Sequence, residues 1–284
     1  MNTFLRLLWK ATLTRDAVVK TSARFTLLNA LARNCGFQLY NKNLAWPDNK
    51  EFQEVWRSFP ASDGKVRDRK FVLFSMAQAL SYLPGDTAEC GVYDGGSSYL
   101  ICRAGDCTGE REHHVFDSFE GLSAPAENDV PSDPTAYKWQ ANDLSVPLET
   151  VQSNLGSCKR VSYYRGWIPD RFHEVADREF SFVHIDVDLY EPTLASLEFF
   201  YPRMVAGGIL LCDDYGFTTC PGARRACDEF FGDKIECRVV HLPTGQGFVV
   251  KSPPSAILSE SLEHEGHGAL RDDLTPNDTG RLRK

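Results

Sequence analysis

Five short runs rich in apolar and β-branched residues constrain this chain most: TAECGV (87–92), HHVFD (113–117), RVSYYRG (160–166), FSFVHID (180–186) and GILLCDD (208–214). Segments with helical spacing separate them, at 97–103, 148–155, 193–200 and 222–231. Apolar runs this short are strand-sized. Strand–helix alternation predicts a parallel sheet with helices on both faces. Two last runs, ECRVVHL (236–242) and GFVVK (247–251), are expected to close the sheet as an edge hairpin or antiparallel pair, joined through Pro243-Thr244-Gly245-Gln246. The expected class is therefore α/β, mostly parallel, with an antiparallel edge.

Residues 1–85 read as helices and loops. Residues 22–34 carry Phe25, Leu28 and Leu31 at helical spacing, with Gly36 as a stop. Residues 66–83 form a second candidate that Pro84-Gly85 ends. The first sixteen residues are too short to span a bilayer and lack a small-residue cleavage site, so an amphipathic helix on the body or on a partner subunit is expected. The expected layout is an N-terminal helical region (1–85), a ligand-binding α/β domain (86–252) and a polar, disordered tail (253–284). Residues 123–142, rich in Pro, Asp, Asn and Ala, form a long insertion, either a lid or a surface loop.

Composition excludes more than it identifies. A net charge of −8 with no basic stripe argues against nucleic acid. The nine cysteines are odd in number and form no CxxC pair, which suits buried thiols in a reducing cytoplasm.

In doubly wound sheets ligands bind beyond the carboxyl ends of the strands. Here HIDVDLY (184–190) and ILLCDDYG (209–216) place Asp186, Asp188, Asp213 and Asp214 there. Neighbouring strands lie about 4.8 Å apart, so Asp186, Asp213 and Asp214 converge. Three anions in one small volume call for a cation, and oxygen ligands select a hard one, magnesium first. Helix capping is the other reading, for Asp214 above all. Asp188 lies two residues further out on the side of Asp186 and is the candidate general base. His184 reads as a core histidine before it reads as a ligand.

The turn ECGVYDGGSS (89–98) joins the first strand to its helix and offers Gly91, Gly95 and Ser97. Its glycines admit a ligand close to backbone amides at a helix N-terminus, or simply make a tight turn. The spacing is neither GxGxxG nor a phosphate loop. Asp117, ending the second strand, is placed for ribose hydroxyls or for capping. Together they favour a nucleoside-bearing cofactor, S-adenosylmethionine before NAD. Trp167 suits either an adenine face or the core.

ECGVYDGGSS, VFDSFEGL, YRGWIPD, HIDVDLYEPT, YPRMVAGGILLCDDYG, CPGARRACDEF and LPTGQGFVVK, in that order, resemble the macrocin O-methyltransferase family over about residues 65–251. The resemblance implies a Rossmann-like class I S-adenosylmethionine-dependent methyltransferase fold and metal-dependent methylation of a sugar hydroxyl on a glycoside. It implies magnesium on Asp186, Asp213 and Asp214, and Asp188 as the base. It implies Glu89, Gly91 and Ser97 on the methionine end of the cofactor, and Asp117 and Ser118 on the ribose. It also implies a homodimer or higher oligomer, with the N-terminal helices helping to cover the acceptor site. The chain departs from the family at Asp94, where a basic residue is frequent. Two rival readings stand beside it: a glycosyltransferase using Asp186-Val187-Asp188 as DxD, and a cofactor-binding protein without catalysis. The sequence does not identify the acceptor; Tyr137, Trp139, Tyr190 and Tyr215 are wall candidates or packing.

Overall fold

A computed structural model describes residues 3–36, 49–63, 67–105, 109–234 and 237–253. Cys107, residue 66 of the second helix candidate, residues 235–236 of the first edge run and most of the tail lie outside them.

Among the described residues, four helices precede the first strand: α1 (Thr3–Thr12), α2 (Ala17–Asn34), α3 (Lys50–Ser58) and α4 (Asp68–Ala79). The Asp16 side chain caps α2 by accepting from Val19 N, and Asn49 caps α3 through Phe52 N at 2.8 Å. The α2 helix starts earlier than its apolar spacing indicates because this cap fixes its N-terminus. The α1 helix pairs with α2, where Arg24 Nε donates to Ala11 O at 2.9 Å, and leaves Phe4, Leu5, Leu8 and Trp9 exposed.

The alternating part follows the expected order. It comprises β1 (Asp86–Cys90), α5 (Gly96–Arg103), β2 (His113–Asp117), α6 (Leu148–Asn154), β3 (Val161–Arg165), β4 (Phe180–Ile185), α7 (Tyr190–Phe200), β5 (Met204–Cys212), α8 (Pro221–Phe231), β6 (Val240–His241) and β7 (Gly247–Val250). The strands lie in the order β3-β2-β1-β4-β5-β7-β6. The first five are parallel; β7 runs antiparallel to both β5 and β6.

Both sheet faces are covered, so β1 and β4 are buried along their whole length. On one face Phe116, Phe180, Val183 and Leu210 pack with Leu197 and Phe200 of α7 and Ala223, Cys227 and Phe231 of α8. On the other, Val115, Phe182 and Leu211 pack with α3, α4, α5 and α6 through Phe52, Trp56, Phe74, Leu100 and Val151. Thus α3 and α4 share the core of the sheet. The eight described cysteines are free thiols, five of them buried.

Two histidines of β2 are buried. His113 lies between Thr87 Oγ1 and Ser98 Oγ, each at 2.9 Å from a ring nitrogen. Burial pushes its pKa from 6.5 down to about 3. Above pH 6.5 the ring is neutral folded or unfolded and costs nothing. As pH falls from 6.5 towards 3, only the unfolded chain takes the proton, so stability is lost with falling pH. We expect a loss of about 1.4 kcal/mol per pH unit in that window. Denaturant titrations at about pH 7 and about pH 5.5 check this; an equal pH slope in a His113→Gln protein would remove His113 as its source.

Candidate active site

The register of the central strands builds the site. Cys90 is level with Phe116, with Ile185 and, through Ile185, with Cys212. Gly91, Asp117, Asp186 and Asp213 therefore emerge side by side at the carboxyl edge. Backbone bonds carry the pairing one step past the strands: Gly91 N donates to Phe116 O, Asp186 N to Cys90 O and Asp213 N to Ile185 O, at 2.8–2.9 Å. Gly91 has φ +79°, and a Cβ there would collide with the Asp186 carbonyl oxygen. Glycine is thus what lets the β1 turn close against the acidic end of β4.

Two adjoining cavities open on this edge. The first, about 500 Å³, is lined by Gly91, Asp117, Ser118, Trp167, Asp186 and Asp188. The second, about 920 Å³, includes Ser97, Asp213 and Asp214, and shares Gly91, Asp186 and Asp188 with the first. They form one cleft with the paired acids at its middle.

In the first cavity, Asp117 accepts from Val92 N at 2.7 Å and from Phe119 N at 2.6 Å, which fixes its carboxylate and holds both flanking turns. Burial raises its pKa. Ser118 Oγ donates to Gly121 O at 2.9 Å. Two expected cofactor residues do not face the cleft. Glu89 is 1% exposed, with one oxygen accepting from Ser98 Oγ and the other from His184 Nδ1 at 2.8 Å. Gly95, at φ +91°, packs on Leu155 and starts α5. Both residues support the turn from beneath.

The four acids divide into two groups. Donor atoms of Asp186, Asp213 and His184 lie within 4.8 Å of one another, as do those of Asp188, Asp214 and Cys220. The extended path expected through Asp188 is not kept. Its φ is +60°, a left-handed turn that redirects the chain into α7, and its amide donates to Asp214 Oδ2 at 3.3 Å. Asp tolerates this conformation better than most residues. Burial, then the charge of Asp186, push the Asp188 pKa up to about 7. Burial, then Asp186 and Asp188, also raise Asp214 well above the carboxylate range. The negative charge here exceeds what its surroundings offset.

Residues remote in sequence meet these acids. Arg69, 144 positions from Asp213, donates through Nη2 to its Oδ2 and lies 3.4 Å from Asp214 Oδ1. Its guanidinium also stacks on Phe217 at 4.4 Å. Gln246 is fully buried and donates to Asp213 Oδ1 at 2.6 Å. Lys70 donates to Ser97 Oγ, which brings a positive charge beside the turn that carries Asp94. Cys220 Sγ, its thiol kept protonated by burial, donates to Asp188 Oδ1 at 3.4 Å and accepts from Trp139 Nε1 at 3.4 Å. One local signal marked Arg69 and Lys70: basic residues in the first turn of a helix oppose its dipole.

The insertion at 123–142 is anchored by Asp129. Its Oδ2 accepts from Ala126 N and its Oδ1 from Tyr190 N, at 2.9 and 2.7 Å. Of the four aromatic wall candidates, Trp139 lines the second cavity. Tyr137, Tyr190 and Tyr215 line neither cavity, and give their hydroxyls to Asp143, Glu229 and Asp228.

The sheet order, the antiparallel edge and a ligand cleft at the carboxyl ends of β1, β2, β4 and β5 define a Rossmann-like class I S-adenosylmethionine-dependent methyltransferase fold. Solved structures share it: the O-methyltransferase NovP superposes with TM-score 0.54 at 23% identity, over 82% of this chain and 100% of its own. The calicheamicin methyltransferase CalS11 does so with TM-score 0.54 at 20% identity, over 84% and 94%.

The macrocin O-methyltransferase (TylF) family profile matches residues 65–240, and the chain belongs to that family. It is 32% identical over 148 residues to the 8-demethyl-8-(2,3-dimethoxy-alpha-L-rhamnosyl)-tetracenomycin-C 4'-O-methyltransferase of Streptomyces olivaceus, which covers 50% of this chain and 57% of that one. It is 32% identical over 156 residues to the demethyldecarbamoylnovobiocin O-methyltransferase of Streptomyces niveus, covering 52% and 58%. The chain thus spans a little over half the length of these relatives.

Proposed function

We propose that this protein is an S-adenosylmethionine-dependent O-methyltransferase acting on a hydroxyl of a sugar, either on a glycosylated natural product or in a surface glycan. The observation that carries this reading is the level register of Gly91, Asp117, Asp186 and Asp213 at one cleft. It puts a nucleoside-type pocket beside an acid group made for a cation. Family membership supports methyl transfer. The rhamnosyl group in one relative's name supports a sugar acceptor.

In this reading Asp117 and Ser118 hold the ribose, Gly91 and Ser97 receive the methionine end, and Trp167 borders the adenine. Glu89 and Gly95 shape that turn. Asp186, Asp213 and Asp214 hold a divalent cation, magnesium first. The donor set fits: four carboxylates face one guanidinium, and burial, then repulsion from neighbouring acids, pushes Asp188 and Asp214 up. When bound, the sulfonium supplies an electrophilic methyl carbon, and the cation supplies positive charge beside the acceptor oxygens. Asp188 takes the proton that the acceptor hydroxyl gives up. The cleft walls orient both reactants and exclude water. Residues 123–142 act as a lid tied to Asp188 through Trp139 and Cys220, the N-terminal helices border the acceptor side, and the chain works in the cytoplasm as a homo-oligomer.

Calorimetry with S-adenosylhomocysteine and with UDP, followed by labelled methyl transfer to glycosides with vicinal hydroxyls, tests the proposal. We expect S-adenosylhomocysteine to bind, UDP not to bind, and label to appear on the sugar. Binding of UDP alone would favour the glycosyltransferase reading. Binding of S-adenosylhomocysteine without transfer to any glycoside would overturn the sugar assignment.

A further inference from the structure

Besides Arg69, whose Nε is likewise unpartnered, His184 is the buried group at this site whose bonding is incomplete among the described residues. It lies on β4 between two acids and is fully buried. Its Nδ1 is 2.8 Å from Glu89 Oε1. Glu89 is a carboxylate, so the ring donates there and carries its hydrogen on Nδ1. In the neutral ring Nε2 then bears a lone pair. That atom has no hydrogen-bond partner among the described residues. It lies 3.3 Å from Asp213 Oδ1 but outside hydrogen-bond geometry. Asp213 Oδ1 already accepts from Gln246 at 2.6 Å.

An orphaned buried nitrogen costs free energy unless something occupies it. The surroundings say what fits. Donor atoms of His184, Asp186 and Asp213 lie within 4.8 Å of one another, spacing that one ion can bridge. Glu89, bonded to the far nitrogen, is the outer carboxylate that orients a metal-bound imidazole and strengthens it as a donor. Glu89 in turn accepts from Ser98, which faces His113 at 2.9 Å. The chain of donors therefore ends on a lone pair that points at the acids.

We propose that His184 Nε2 is a direct ligand of the divalent cation held by Asp186 and Asp213. This rests on the cation reading of the proposed function and adds a nitrogen to what would otherwise be an all-oxygen site. Its consequence is metal preference. Imidazole suits nickel and zinc, whereas carboxylates suit magnesium and manganese, so affinity should climb from manganese through cobalt to nickel more steeply than carboxylates alone would give.

The test is electron spin echo spectroscopy of the full-length protein loaded with Mn2+, in natural abundance and with 15N-labelled histidine. We expect nitrogen modulation from a coordinated imidazole, altered by the label and lost in His184→Asn. Asn places an amide where Nδ1 lies, so it keeps the bond to Glu89 and removes only Nε2. Calorimetry should show Co2+ binding at least about tenfold tighter than Mg2+ in the parent protein, with that ratio shrinking in His184→Asn. Bound Mn2+ without nitrogen modulation overturns the ligand and leaves the cation site standing. No bound Mn2+ signal overturns the cation site itself. The labelled parent protein decides the question even if His184→Asn does not fold.

Discussion

An Asp188→Asn protein is expected to turn over about 10²–10⁴-fold more slowly than the parent, the range associated with removing a general base. Asn keeps the size and an acceptor oxygen, so Cys220 retains a partner in place of Asp188 Oδ1. What is lost is a site for the acceptor's proton. The S-adenosylhomocysteine affinity should hold within about twofold, because Asp117 and Ser118 carry the nucleoside end in our assignment. Stability should not fall. Asp188 is buried and repelled by Asp186, so removing its charge relieves the cluster. Single-turnover methyl transfer, calorimetry and thermal denaturation read these effects separately. Unchanged turnover would end the assignment of Asp188 as base, whereas a fall in melting temperature matching the loss of activity would make its role structural.

Stripping divalent ions with EDTA is expected to lower methyl transfer by at least about 10²-fold, with recovery on adding Mg2+ or Mn2+. Arg69 is the only cation in contact with Asp213 and Asp214 among the described residues, and one guanidinium cannot neutralise Asp186, Asp188, Asp213 and Asp214 together. The ion should also stabilise the fold, by about 2.7 kcal/mol at a concentration a hundredfold above its Kd. Melting curves with and without Mg2+ give a check independent of catalysis. Full activity in chelator would remove the metal role. An Asp213→Asn protein should lose the Mg2+-dependent shift, since it weakens the ligand that also holds Arg69 and Gln246.

Much of this architecture follows from local sequence. Buried parallel strands need continuous apolar runs, and FSFVHI of β4 shows that character without tertiary context. The edge hairpin follows from Pro243 to Gln246 between two short runs. The acids at the ends of β4 and β5 were legible because parallel strands must all present their carboxyl ends on one side. Boundaries were less exact. The β5 strand begins at Met204, ahead of Gly208, where the sequence reading starts this run.

The sequence by itself determined the alternation, the cleft edge, the four acids and the family, because periodicity and strand-end chemistry are properties of neighbouring residues. Only the tertiary structure decided which partners those acids receive. Arg69 reaches Asp213 across 144 positions because the apolar side of α4 packs on the sheet and leaves its first turn over the cleft. Gln246 arrives because β7 pairs antiparallel with β5. Glu89 lies beneath the cleft because its register partner His184 takes one of its carboxylate oxygens and Ser98 the other. Such contacts depend on register and helix packing, and no spacing within the chain encodes them.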